Sequence, residues 1–183
     1  RTVAVGPVSP KQKRDFTLVL KGMMALSMAV FPEGTRGMHL DMLARGALCR
    51  EGLNYGHGTG HGVGHYLCVH EGPASIRMEL NSEEIRSGMV FTNEPGLYRK
   101  GAYGIRTENM MVVVEKEITE FGRFLAFETL TLCPIDLALI EISLLSGLEV
   151  SWLNNYHKMV RKRLSPFLSK ELAEFLEQIT AEL

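Results

Sequence analysis

The segment Gly56–Gly64 most restricts the fold of this chain, because five of its residues are glycine. Glycine at this density disfavours helix and strand interiors, since each one adds backbone freedom that an ordered element must remove. The same lack of side chains lets backbone or a ligand approach closely. The segment therefore predicts a tight loop built mostly from backbone, followed by a strand over Tyr66–His70.

Helical periodicity flanks this loop in the sequence. Ser9 can cap a helix that has Pro10 at its first position, and apolar residues continue at helical spacing until Phe31-Pro32. A second amphipathic helix should end at Gly52. Apolar stripes predict two terminal helices from Glu149 onwards, with a break near Ser165-Pro166.

Strand patterns lie between the loop and the terminal helices. They cover Met89–Asn93, Ile105–Val114 and Phe124–Leu132, with turns at Glu94–Gly96 and Lys100-Gly101. Helices that flank interleaved antiparallel strands predict an α+β fold, in which helices cover one side of a sheet.

Composition excludes some classes of partner. Lys and Arg number 20 against 21 Asp and Glu, and the charges are interspersed, so neither nucleic acid nor an anionic membrane is expected as a partner. No apolar run reaches the roughly 18 residues of a membrane span. The three cysteines form no CxxC pair, which is typical of reduced thiols in a cytoplasmic protein.

Histidines cluster around the glycine-rich loop. His57, His61 and His70 lie within fourteen residues, and neutral imidazole suits a divalent transition metal or a proton relay. A single histidine in a glycine-rich turn is more often an ordinary surface residue, but three together favour a site. We interpret the other three histidines as structural: His39, His65 and His157.

Two glutamates accompany these histidines in the sequence. Glu94 follows a predicted strand, and Glu108 lies inside the apolar run Ile105–Val114, two residues after Arg106 and thus on the same face of a continuous strand. Arg106 and Glu108 could form a simple ion pair. Beside the histidine cluster, a metal-binding carboxylate is the stronger interpretation, because carboxylates and imidazoles hold paired manganese, cobalt or zinc ions.

These motifs together resemble a known family. The runs His57–Gly64, Val69–Pro73, Asn93–Gly96 and Gly104–Asn109 occur in this order in Xaa-Pro aminopeptidases (aminopeptidase P), and Trp152–His157 resembles the C-terminal extension of the longer cytosolic members. The resemblance implies the pita-bread (creatinase/aminopeptidase) fold, a curved, mainly antiparallel sheet covered by helices. Residues 1–140 would belong to that metallopeptidase domain, and residues 141–183 would form a C-terminal helical extension.

The resemblance also implies a metal centre with two divalent ions, manganese before cobalt or zinc. His61 and Glu94 would bind one ion, and Glu108 would bridge both. Glu94 would in addition act as general base toward the attacking water.

Three further residues receive catalytic roles from the resemblance. His57 would lie over the substrate near its proline, and His70 would hold the scissile carbonyl and the developing oxyanion. Arg106 would orient Glu108.

The chain departs from the family at two aspartate ligands that should precede these motifs. Its three aspartates, Asp15, Asp41 and Asp136, do not fit those positions, and Arg1-Thr2 resembles the stretch that follows the second aspartate. We therefore expect a chain truncated just after both aspartates, inactive alone and a weak metal binder.

The expected activity of the parent protein is metal-dependent release of the N-terminal residue from peptides with proline in second position. A prolidase-type dipeptidase and a metal-free peptide-binding module of the same fold remain alternatives. The expected partner is the peptide substrate, and a cytoplasmic homodimer is the expected state.

Overall fold

The computed structural model describes residues 1–66 and 68–183. The described residues form four α-helices: α1 (Pro10–Ser27), α2 (Gly37–Cys49), α3 (Gly147–Leu164) and α4 (Lys170–Ile179). The strands are β1 (Val30–Pro32), β2 (Gly60–Gly62), β3 (Glu71–Ile76), β4 (Val90–Asn93), β5 (Gly96–Arg99), β6 (Tyr103–Arg106), β7 (Asn109–Thr119) and β8 (Gly122–Thr129). Short 3₁₀ turns cover Leu137–Leu139, Ile142–Leu144 and Ser165–Phe167.

Six strands form one sheet in the order β1-β8-β7-β4-β2-β3, and every described pairing is antiparallel. A separate antiparallel hairpin consists of β5 and β6. Strand β2 is only three residues long, yet it pairs with both β3 and β4. The α+β fold with an antiparallel sheet is confirmed. The segment predicted as a glycine-rich loop instead contains strand β2, because Gly60–Gly62 pair with strands on both sides.

The unit Val19–Thr131 has its core between this sheet and two helices. Apolar side chains of α1 and α2 pack on inward-facing residues of the strands, including Leu26, Leu40, Phe91, Met111 and Leu125, all at most 5% exposed. Full burial of such a side chain contributes roughly 1.5–3 kcal/mol. Helices α1 and α2 therefore cover one face of the sheet that carries the candidate site.

A second unit comprises Arg1–Leu18 and Leu132–Leu183. Helix α3 begins at a capping box in which Ser146 and Glu149 satisfy each other's backbone N–H groups, and Leu153 and Val160 are fully buried. His157 is also buried, and its Nε2 accepts a hydrogen bond from the backbone N of Ile135 (3.0 Å). The domain division at residue 140 stays a prediction.

Four boundaries differ from the sequence-based expectation. Helix α1 ends at Ser27, because Pro32 restrains the residue before it to extended geometry and Val30–Pro32 pair with β8. The predicted strand over residues 105–114 is two strands, interrupted at Thr107-Glu108. The predicted strand over residues 66–70 is wrong for Tyr66 and 68–70, while Leu67 lies outside the described residues. Strand β8 ends at Thr129, short of the predicted 132.

Within residues 1–66 and 68–183, no helix combines the length and the apolar character that crossing a membrane requires.

Candidate metal centre

The candidate site begins where β2 and β4 lie side by side. His61 is the middle residue of β2, and Glu94 directly follows β4. The backbone N of Glu94 donates to the carbonyl of Thr59 at 2.8 Å, which fixes the two chain segments against each other. As a result, His61 Nε2 lies 3.2 Å from Glu94 Oε1.

Two neighbours set the orientation of these side chains. The Nδ1 of His61 lies 2.9 Å from the carbonyl oxygen of Gly62 and donates its proton there, so Nε2 is the nitrogen that faces Glu94. Thr92 Oγ1 donates to Glu94 Oε1 (3.0 Å) and accepts from the backbone N of His61 (3.0 Å). This arrangement fits a metal site, because ligating histidines normally give their second N–H to such an acceptor.

Arg106 and Tyr98 close the other side of Glu94. Arg106 Nη1 is 3.2 Å from Glu94 Oε2, and its Nε donates to the Tyr98 hydroxyl at 3.1 Å. The same hydroxyl is 2.9 Å from His57 Nε2. Burial alone would lower the pKa of Arg106, but Tyr98, Glu94 and Glu108 together raise it, so the guanidinium stays charged.

A cavity of about 350 Å³ brings most of the predicted site residues together. Its lining comprises His57, Gly58, Gly60, His61, His70, Ser75, Arg77, Glu94 and Arg106. Five of the six predicted site residues are in this set. The rings of His61 and His70 are neighbours, with centroids 4.3 Å apart.

Glu108 is the sixth predicted residue and is not among those that line the cavity. It is half-buried in the two-residue link between β6 and β7. The expectation that strand alternation puts it on the face of Arg106 does not apply, because the strand is interrupted there. Its role as a bridging ligand stays a prediction.

The three aspartates are not among the residues that line the cavity. Across 1–66 and 68–183, no three or more His, Cys, Asp or Glu side chains are grouped closely enough to hold an ion. Asp41 accepts hydrogen bonds from Arg45 and Thr59, and Asp136 accepts from Ala138 and Ala4. Asp15 is buried within α1.

Several residues of the site were not predicted from the sequence, among them Thr92, Tyr98 and Arg77. Tyr98 lies opposite Gly104 in the β5–β6 hairpin, and a Cβ on Gly104 would approach its ring to 2.9 Å. The glycine two residues before Arg106 was therefore a usable signal for a ring packed there. Thr92 carried no distinctive pattern.

The histidines interpreted as structural have structural partners. His39 Nδ1 accepts from the backbone N of Arg36 at the start of α2 (3.1 Å), and His157 lies in the core described above. His65 packs against the ring of Tyr66.

Comparison with known proteins decides the family. Residues 1–115 match the sequence model of metallopeptidase family M24, and residues 123–183 match the C-terminal region of the same peptidases. The chain belongs to metallopeptidase family M24. Among curated M24-type relatives, the probable Xaa-Pro aminopeptidase P of Coprinopsis cinerea is 45% identical over 100% of this chain and 30% of its own length. Aminopeptidase P1 of Arabidopsis thaliana is 45% identical over 98% of the chain and 29% of its own length.

Solved structures give the same assignment for this M24 chain. The X-prolyl aminopeptidase of Caenorhabditis elegans, described as a cytosolic enzyme with a di-nuclear active site, superposes with a TM-score of 0.90 and 40% identity. That match covers 97% of this chain and 30% of that one. The Xaa-Pro dipeptidase of Bacillus anthracis gives a TM-score of 0.61 at 32% identity, over 75% of this chain and 35% of its own. The pita-bread fold is confirmed, and the chain spans about 30% of the length of the aminopeptidases it matches.

Proposed function

We propose that this chain is the C-terminal catalytic part of an Xaa-Pro aminopeptidase, which releases the N-terminal residue from peptides with proline in second position. The observation that carries the proposal is the cavity in which His61, Glu94 and Arg106 meet His57 and His70, in a chain of family M24. A carboxylate and an imidazole that are held 3.2 Å apart by their neighbours are suited to a metal-dependent hydrolase.

His61 and Glu94 would hold one divalent ion, and Glu108 would contribute to a second, with manganese the favoured metal because oxygen donors outnumber nitrogen in this set. When bound, such ions polarise a carbonyl and lower the pKa of water. The aspartate ligands implied by the family resemblance have no counterpart among Asp15, Asp41 and Asp136. We therefore expect the 183 residues alone to bind manganese weakly and to be inactive.

Glu94 is the group in the best position to accept a proton from the attacking water. Arg106 and Thr92 each contact a different carboxylate oxygen, so the carboxylate cannot turn away from the cavity. Arg106 would thus orient Glu94 directly, in addition to any effect on Glu108. His57 and His70 both line the cavity. His70 would donate an N–H to the substrate carbonyl and to the oxyanion that develops from it. His57, whose ring nitrogens face the Gly58 carbonyl and the Tyr98 hydroxyl, would lie near the proline of the substrate.

A prolidase-type dipeptidase is the second candidate. It is less well supported, because the dipeptidase of Bacillus anthracis matches 75% of this chain, whereas the aminopeptidase of Caenorhabditis elegans matches 97%. A metal-free binding module is less consistent with the hydrogen bond from His61 to Gly62, which directs Nε2 toward Glu94, the other proposed ligand.

We further propose that the full-length protein is a cytoplasmic homodimer that binds neither nucleic acid nor membranes. The net charge of −1 supports the last two points, and the cytosolic relative supports the location. Exposed apolar side chains of α4, Leu172 and Phe175, support a subunit interface. Sedimentation of the full-length protein as a monomer at micromolar concentration would remove the dimer proposal.

A peptide panel tests the proposed activity. The full-length protein with manganese should cleave Xaa-Pro-Yaa tripeptides after the first residue and leave matched Xaa-Ala-Yaa peptides intact, as followed by mass spectrometry. Cleavage of Xaa-Pro dipeptides alone would favour the dipeptidase. Binding of Xaa-Pro-Yaa without turnover, at saturating metal, would favour the binding module.

A further inference from the structure

Arg45 is a buried arginine of α2 whose side chain is only 3% exposed, and it lies outside the cavity. Its charge is balanced by Asp41, one helical turn earlier, whose Oδ2 accepts from Arg45 Nε at 2.6 Å. A buried charge pair is costly unless its remaining hydrogen-bonding groups are satisfied. The remaining groups of this pair are satisfied by the segment Asn54–Thr59.

The guanidinium makes three contacts with that segment. Nη1 donates to the Asn54 side chain (2.8 Å) and to the carbonyl of Tyr55 (2.8 Å). Nη2 donates to the carbonyl of His57 at 2.6 Å. The planar fork of arginine thus binds the backbone on both sides of Gly56, immediately before the residues that line the cavity.

Asp41 anchors the far end of the same segment. Its Oδ1 accepts from Thr59 Oγ1 (2.6 Å), and that hydroxyl in turn pairs with the Tyr55 hydroxyl. The Tyr55 ring lies against Arg45, with the guanidinium carbon 3.9 Å from the ring centroid. Burial raises the pKa of Tyr55 to about 12, so its hydroxyl stays protonated and donates to Thr59 Oγ1.

This network explains how a glycine-rich segment keeps one conformation. A loop with glycine at every second position has little side-chain packing of its own, and its ordering must come from contacts with a rigid element. Helix α2 is such an element, because a Cβ on Gly22 of α1 would come within 2.0 Å of the Ala44 carbonyl, so the helices touch directly beside Arg45.

We propose that Arg45 is a positioning residue, which with Asp41 clamps the segment Asn54–Thr59 so that His57 and His61 face the same cavity. The effect of Arg45 on catalysis rests on the proposed function, whereas its effect on the order of Asn54–Thr59 does not. Lysine in this position keeps the charge near Asp41 and loses the planar fork, so it cannot hold both the Tyr55 and His57 carbonyls.

Amide hydrogen exchange on the metal-free full-length protein tests the clamp. We expect Arg45→Lys to accelerate exchange at Tyr55–His61 at least tenfold, with less than twofold change in the β7–β8 hairpin. Ile85→Val is the control for general destabilisation, since Ile85 is a buried core residue outside the network. Equal exchange at Tyr55–His61 in both variants, at the same loss of thermal stability, would overturn the proposal.

Kinetics provide the second readout. Arg45→Lys should lower kcat at least tenfold with KM changed less than threefold, whereas Ile85→Val should change neither at temperatures where both proteins are folded. If the wild-type protein cleaves no peptide, the proposed function fails and the exchange result still decides the clamp. If wild type is active and exchange is unaltered, the clamp alone is wrong.

A milder variant covers the case in which Arg45→Lys does not fold. Asn54 is exposed, and its side chain accepts from both Arg45 Nη1 and the backbone N of Tyr55. Asn54→Ala should accelerate exchange at Tyr55 and His57 two- to fivefold and leave the thermal midpoint nearly unchanged. Wild-type exchange rates in Asn54→Ala would contradict the clamp.

Discussion

Gly60 is the position at which one methyl group should disrupt the candidate metal centre. It lies in β2 beside β4, where a Cβ would approach the backbone carbonyl oxygen of Thr92 to 2.0 Å. Real Cβ atoms essentially never come closer than 3.0 Å to such an atom, so the two strands would have to separate by about 1 Å. No flexible side chain can move aside to relieve the clash.

The same separation acts on the metal ligands. His61 follows Gly60 directly and Glu94 lies two residues after Thr92, so a shift of about 1 Å would lengthen the 3.2 Å contact between them to roughly 4 Å. Overpacking of this kind costs about 1–3 kcal/mol of unfolding free energy. For a chain of 183 residues, that corresponds to a fall of roughly 2–12 °C in Tm. A 1 Å misplacement can also lower catalysis by about 10²-fold.

Gly56→Ala is the matched control for Gly60→Ala. A Cβ on Gly56 meets nothing within 4 Å, so this variant should stay within about 0.5 kcal/mol of wild type. Thermal unfolding of the metal-free 183-residue chain measures the first effect, and kcat/KM of the manganese-loaded full-length protein measures the second. Equal Tm values for both variants, or full activity in Gly60→Ala, would refute the close strand contact as the basis of the site.

Two further predictions concern His157 and Arg77. Burial, followed by the charges of Arg161 and Arg1, lowers the pKa of His157 from 6.5 to about 4. Between these two pH values the imidazole is protonated in the unfolded chain but neutral in the folded chain. The free energy of unfolding should therefore fall by up to about 3 kcal/mol as pH drops from about 6.5 toward 4. In urea titrations at pH 7 and pH 5, His157→Gln should remove this pH-dependent loss of stability. The same loss in wild type and His157→Gln would contradict the prediction. Arg77 is exposed, lines the cavity, and makes no ion pair or hydrogen bond with another described residue. Its charge is therefore available to the C-terminal carboxylate of a tripeptide. Arg77→Gln should raise KM up to about fivefold for tripeptides with a free carboxylate, but not for the corresponding amides. Arg86→Gln, an exposed change outside the cavity, is the control, and equal effects on acids and amides would contradict a carboxylate contact.

The sequence predicts which residues form the site better than it predicts which of them contact one another. His57, His61, His70 and Glu94 stood out because histidines among glycines and a carboxylate at a strand end are uncommon outside functional sites. Their convergence depends on β2 pairing with β4 across nearly thirty residues of chain, a long-range contact that local periodicity does not encode. The pairing of Arg106 with Glu94 was missed for this reason.

Local pattern also failed where the chain changes direction. The apolar run that contains Glu108 was predicted as one strand, because its alternating pattern continues without a break. In the structure, Thr107 and Glu108 belong to neither β6 nor β7. Helix α1 was extended to Pro32, because Val30 continues the apolar spacing, although the β8 strand competes successfully for those residues. In both cases tertiary pairing overrode a weak local preference.

Manganese titration calorimetry on the full-length protein shows whether Glu94 is a metal ligand. The wild-type protein should bind two ions, and Glu94→Gln should lose at least one of them, because an amide oxygen without charge is a poorer ligand than a carboxylate. Glu117→Gln, an exposed change on β7, should retain both ions. Identical binding by wild type and Glu94→Gln would contradict the metal centre proposed between β2 and β4.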